Sequence, residues 1–226
     1  MSWESTIPYY RCINEAVKRK LGGFHSAKVV LYSVDFAEIE ALQRLGDWQR
    51  AGELLADAAR SLRAAGAELL VLCTNTMHIV APAIERAVDV PLLHIVDPTA
   101  RAAVARECTV LGLLGTRFTM EEPFYASRLE ALHGIRTLVP DEHERNAVHA
   151  IIYDELCFGT IREDSRAVFR DVMANLVGRG VQGIIFGCTE IAMLVSQADS
   201  SVPVFDTTQL HAEAAVALAL DCRVSV

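Results

Sequence analysis

The sequence predicts an α/β protein of two pseudo-symmetric α/β sandwich domains, each built on a mostly parallel sheet. Three observations lead there. Short runs are apolar on both faces, amphipathic stretches of helical period lie between them, and one half of the chain repeats the other.

The strand-like runs are Val29 to Leu31, Leu69 to Leu72, Leu92 to Val96, Val110 to Leu114, Thr137 to Val139, Gly183 to Phe186 and Val202 to Phe205. Each is short and bounded by turn residues, as strands buried on both faces are. The clearest helix lies in Asp47 to Ala65, where Ala51, Leu54, Leu55, Ala58, Leu62 and Ala65 follow the i, i+3, i+4, i+7 spacing of one helix face.

The repeat aligns without a gap. Ala65-Gly66-Ala67-Glu68-Leu69-Leu70-Val71-Leu72-Cys73-Thr74-Asn75-Thr76 falls on Arg179-Gly180-Val181-Gln182-Gly183-Ile184-Ile185-Phe186-Gly187-Cys188-Thr189-Glu190, which sets Thr74 against Cys188. Each copy leads through a helix-length segment to a Val-Pro strand, at Val90-Pro91 and Val202-Pro203. Shared strand and turn preferences are the alternative source of such a match. Related halves place an N-terminal domain at 1–97, with the helix 207–226 packing back on it, and a C-terminal domain at 98–206. Thr119 to Tyr125 also resembles Trp3 to Tyr10, but only the former follows a strand. The expectation is therefore that the native chain carries one more strand upstream of Met1.

The chain has 226 residues, 52% of them hydrophobic, enough for a sizeable core. Its 29 acidic against 21 basic residues, a net charge of −8, give no footprint for nucleic acid. Six scattered cysteines and the lack of a secretory leader pattern point to reduced thiols and the cytoplasm. The apolar runs are too short to span a membrane.

The chemistry concentrates at two strand ends, Thr74-Asn75-Thr76 and Cys188-Thr189-Glu190. Ligands bind at this end of an open α/β sheet. A helix starting there would bind a carboxylate and lower a thiol's pKa from about 8.5. Asn75, Thr76 and Thr189 are suited to bind that carboxylate, and Thr74 and Cys188 would flank its α-carbon. Racemisation needs one group to remove the α-proton and another to deliver a proton to the opposite face. A threonine hydroxyl is a poor base near neutrality, so Cys188 is the expected base and Thr74 a donor or a holder of water. Asymmetric handling of the two enantiomers follows.

Cys188 can also be read as a small buried hydrophobe, but its Gly-Cys-Thr-Glu setting favours function. Cys73 sits opposite Gly187 in the repeat and is read as packing. Cys12, Cys108, Cys157 and Cys222 keep the packing reading, with a loop over the site from Glu155 to Gly159 as the alternative for Cys157. His78 and His94 lack metal-ligand spacing with any cysteine pair and read as structural or site-lining. Lysine occurs only at Lys18, Lys20 and Lys28, far in sequence from both motifs, and no nucleotide fingerprint is present. No cofactor is expected.

Thr74-Asn75-Thr76-Met77-His78 resembles the C-N-T-x-H motif of the cofactor-independent aspartate/glutamate racemase family, and Gly187-Cys188-Thr189-Glu190-Ile191 resembles its G-C-T-E motif. Ser33-Val34-Asp35-Phe36, Leu114-Gly115-Thr116 and Phe205-Asp206-Thr207 are similar as well, and Met1 to Thr6 is similar to the segment after the family's first strand. The resemblance is strongest to a bacterial broad-specificity branch with a Thr/Cys pair. It implies two pseudo-symmetric domains with the active site between them, a homodimer, no cofactor, and acidic amino acids, or a broader range including homoserine, as substrates. It implies Thr74 and Cys188 as the acid/base pair, Asn75, Thr76 and Thr189 as carboxylate binders, and Ser33, Asp35 and Gln43 as part of a substrate loop. A small-diacid cis-trans isomerase or decarboxylase, and a non-catalytic amino-acid-binding protein, are the competing readings.

Overall fold

A computed structural model describes residues 1–221. Cys222 and the last five residues of the helix expected over 207–226 lie outside the described residues. The chain forms two compact units, one from Met1 to His94 joined by the residues from His211 onward, the other from Ile95 to Leu210.

The first unit opens with α1 (Trp3–Leu21), α2 (Phe36–Leu45) and α3 (Trp48–Ala64). Asp35 caps α2 by accepting from the Ala37 N–H at 3.0 Å, and Asp47 caps α3 through the Arg50 N–H at 3.0 Å. Of the predicted face of α3, Ala51, Leu55 and Ala58 are buried and Leu54 and Leu62 half-buried, while Ala65 lies just past the helix and is exposed. β1 (Leu70–Val71) pairs in parallel with β2 (Leu92–Leu93), and between them run a 3-10 turn (Thr76–Val80) and α4 (Ala81–Ala87). The small residue at Gly52 lets α3 approach α4, since a Cβ there would stand 3.1 Å from the Ala83 Cβ.

Two strand expectations are corrected here. Val29 to Leu31 forms no strand, and its residues are exposed in an irregular segment. A β-prone run becomes a strand only with a hydrogen-bonded neighbour, and none of the described residues supplies one. The run Leu92 to Val96 divides, because only Leu92 and Leu93 pair, and Val96 already opens α5 (Val96–Val104). Ile95 and Val96 are fully buried all the same. Their apolarity reports burial, not strand.

The second unit continues with β3 (Val110–Leu114), α6 (Arg117–Glu121), α7 (Pro123–His133), β4 (Arg136–Leu138), α8 (Glu142–Asp154), a 3-10 turn (Leu156–Phe158) and α9 (Glu163–Gly178). β5 (Gly183–Phe186), α10 (Ile191–Leu194), β6 (Val204–Asp206) and α11 (Thr207–Asp221) follow. The four strands form one parallel sheet in the order β4-β3-β5-β6. Leu111, Leu113, Leu114, Ile184, Ile185 and Phe186 are all buried, so side chains on both faces of the central strands are covered, as parallel sheets require. α11 starts in this unit, and from His211 its residues belong to the first.

Candidate active site

In the first unit the chain turns tightly after β1, with the Thr74 N–H donating to the Leu72 carbonyl at 2.8 Å. Thr74, Asn75 and Thr76 are buried there. His78 fixes this turn, its backbone N–H reaching the Asn75 carbonyl at 3.0 Å and its Nδ1 the Thr74 carbonyl at 2.8 Å. Around His78 lies a group of rings that the sequence does not reveal. His94 lies tilted against it at 4.5 Å between centroids, His211 stands at 5.9 Å, and Tyr9 bonds His211 Nδ1 at 2.8 Å. His211 Nε2 faces the Leu93 carbonyl at 2.9 Å. Nε2 therefore carries the hydrogen, and Nδ1 accepts from the Tyr9 hydroxyl. Burial, then the neighbouring His94 and His211, hold the His78 pKa well below the usual histidine value. His78 is neutral near pH 7.

Cys73 lies under the same turn, with its sulfur 3.5 Å from the Val71 carbonyl and its thiol pushed up to about 12 by burial. The expected substrate loop resolves into three unlike places. Ser33 is exposed in the irregular segment, and Asp35 is exposed and caps α2. Gln43 is not in a loop: it is buried on α2 and donates to Met77 Sδ at 2.9 Å, which braces the residue after Thr76.

In the second unit the ends of β3 and β5 approach closely at two glycines. A Cβ on Gly187 would stand 2.9 Å from the Leu114 carbonyl oxygen, and one on Gly115 3.0 Å from the Gly187 carbonyl oxygen. Thr207 Oγ1 donates to the Phe186 carbonyl at 2.8 Å and fixes the last residue of β5. Cys188 follows, partly exposed between buried neighbours. Its thiol donates to Glu190 Oε2 at 2.9 Å, and the Thr189 hydroxyl donates to the same oxygen at 2.6 Å. Glu190 is itself buried.

This corrects the expected acidity of Cys188. The thiol is raised well above its ordinary value by burial, by the Glu190 charge and by Cys157 on the 3-10 turn Leu156–Phe158. The helix that follows has four residues, too short for much of a dipole, and a carboxylate sits beside the sulfur. The Thr189 hydroxyl is engaged as well. A hydroxyl has one proton to donate, and here Glu190 receives it. The spacing of Cys188 and Glu190 was visible in the sequence, but their contact depends on side-chain rotamers and was not.

Among the described residues no group of His, Cys, Asp or Glu is arranged to hold a metal ion, and no helix is long and apolar enough to cross a membrane.

The chain carries Thr-Asn-Thr after β1 and Gly-Cys-Thr-Glu after β5 of two parallel α/β units, and its relatives set it in the class of α/β racemases, which are isomerases. The chain belongs to the Asp/Glu/Hydantoin racemase family, whose profile it matches over residues 1–215. It is 24% identical over 160 residues to the broad specificity amino-acid racemase RacX of Bacillus subtilis (strain 168), covering 71% of this chain and 68% of that protein. A provisionally named Asp/Glu racemase from Yersinia pestis has a crystal structure that superposes with a TM-score of 0.90 at 60% identity, covering 97% of this chain and 96% of that one. An aspartate racemase homologue from Pyrococcus horikoshii OT3 superposes with a TM-score of 0.82 at 33% identity, covering 96% of this chain and 94% of that one.

Proposed function

We propose that the protein is a pyridoxal-phosphate-independent racemase that interconverts L- and D-amino acids by removing the α-proton and returning one to the opposite face. The observation that carries this is Cys188, a partly exposed thiol at the end of β5 hydrogen-bonded to a buried carboxylate. The names of the relatives support it. Cys188 is the base, and Thr74 donates the opposite proton, directly or through a water it holds. Asn75 and Thr76 bind the substrate carboxylate, and Thr189 joins them, its hydroxyl on release from Glu190. Ser33, Asp35 and Gln43 complete the substrate side, Gln43 indirectly through Met77. The substrates in this reading are aspartate, glutamate or a broader set including homoserine. The protein works as a cytoplasmic homodimer without a cofactor. Its two units, divided after His94 and after Leu210, serve as the two domains expected with bounds at residues 97 and 206.

A thiol base and a hydroxyl donor are chemically unequal, so the two directions differ in kcat, while kcat/KM, tied to an equilibrium constant of one, is the same for both. The test is incubation in D2O, without pyridoxal phosphate, of L-aspartate, L-glutamate and L-homoserine in turn, read by α-proton NMR and chiral chromatography. Exchange on one of them that disappears in Cys188→Ala supports the reading. No exchange on any of them, from folded protein, overturns it in favour of small-diacid chemistry or ligand binding alone.

A further inference from the structure

The base assigned above rests in its protonated form, and a thiol that keeps its proton removes none from a substrate. Burial and the Glu190 charge both favour that form. Glu190 Oε2 lies 2.9 Å from the sulfur, at the receiving end of the thiol hydrogen bond. Thr189 Oγ1 donates to the same oxygen at 2.6 Å, so Oε2 is held in place by two donors. Besides Glu190, Cys157 is the titratable group acting on the sulfur, from the 3-10 turn packed against α10.

We propose that Glu190 is the positioning residue that opens Cys188, accepting its proton through this hydrogen bond to leave a thiolate for the reaction. The S–H bond breaks, its electron pair stays on sulfur, and the proton makes Oε2 a neutral carboxylic acid. Sulfur then forms a new S–H bond with the substrate's α-proton, and the pair from the C–H bond remains on the substrate as an enediolate. The opposite face takes a proton from a hydroxyl or water, and the carboxyl proton returns to the oxyanion so formed. No net proton is gained or lost. A neutral carboxyl also removes one negative charge from beside the growing anion. The racemase reading supplies only the identity of the proton that the thiolate takes; the transfer between Cys188 and Glu190 is a property of the two side chains.

That separation dictates the experiment. Alkylation of Cys188 by iodoacetamide, followed by peptide mass spectrometry between pH 6 and 9, reads thiolate without any substrate. A proton shared within the pair gives a thiolate fraction that does not depend on pH while the pair holds one proton. The wild-type rate is therefore expected to be flat over about two pH units near neutrality. Glu190→Gln, which keeps the shape and removes the acceptor, is expected to alkylate in proportion to hydroxide, tenfold per pH unit, and to lose α-proton exchange. A wild-type rate that itself rises tenfold per pH unit across the range overturns the proposal, whether or not Glu190→Gln folds. So does a flat profile that survives in folded Glu190→Gln. A flat wild-type profile without exchange on any amino acid would instead sink the racemase reading and leave the Cys188–Glu190 transfer standing.

Discussion

The Tyr9 hydroxyl donates to His211 Nδ1 at 2.8 Å, and so joins α1 to α11, the first and last helices among the described residues. Both residues are buried, Tyr9 at 2% and His211 at 0% exposure, so neither can exchange its partner for water. Tyr9→Phe leaves the His211 nitrogen buried without its donor. The expected cost is about 1–3 kcal/mol of unfolding free energy, read from the shift in urea midpoint at pH 7.5. A change below about 0.5 kcal/mol would show that the contact contributes little.

His78 makes stability depend on pH in a definite direction. Its folded pKa lies below the unfolded value of about 6.5, so the unfolded chain binds the extra proton first. Stability is complete above about pH 6.5 and falls as the pH drops from there toward the folded pKa, by up to about 1.4 kcal/mol per pH unit. Urea midpoints at pH 7.5 and 5.5 should differ accordingly, and His78→Gln should reduce the difference.

Cys188→Ala is expected to lower α-proton exchange by about 100- to 10,000-fold, the usual range for loss of a proton-transfer group. Thr74→Cys supplies a second thiol. The ratio of the two directions' kcat values, measured at saturating substrate, should move toward one in that variant, with the equilibrium unchanged. An unchanged ratio from chiral chromatography would remove Thr74 from the proton path.

Gly187→Ala puts a methyl 2.9 Å from the Leu114 carbonyl oxygen and 2.9 Å from Leu113 Cδ1. Backbone cannot rotate away as a side chain can, so β3 and β5 must part locally. A loss of about 1–3 kcal/mol is expected, with a matching fall in activity because Cys188 is the next residue.

Asp35 permits a separation of cap from charge. Asparagine caps a helix as well as aspartate does, so Asp35→Asn should keep the melting temperature, while Asp35→Ala should cost about 1 kcal/mol. If the carboxylate also meets substrate, Asp35→Asn raises KM. An unchanged KM leaves Asp35 as the cap of α2 alone.

What could be read from sequence was whatever depends on local pattern. α3 declared itself because its buried alanines and leucines recur at helical spacing, and β3 and β5 because a run apolar on both faces suits a parallel sheet. Val29 to Leu31 has the same pattern but no neighbour to pair with among the described residues, and periodicity carries no information about neighbours. The strand-end motifs were legible in position because Thr-Asn-Thr and Gly-Cys-Thr-Glu each follow directly on an apolar run. The thiol's acidity was not, since it turned on a rotamer of Glu190 and on the short length of α10. The ring cluster of Tyr9, His78, His94 and His211 draws on residues far apart in the chain.

α11 has a consequence for the order of events during synthesis. Residues 95–210 contain every strand of the four-stranded sheet, so that unit can complete itself as soon as Leu210 has cleared the ribosome. The first unit is made earlier but waits longer. Tyr9 and Leu93 bond His211, Arg19 pairs with Glu213 at 2.8 Å, and Ala16 and Val17 pack on Val216, all contacts that exist only once residues 211–216 have emerged. The half that is translated first is the half that is finished last.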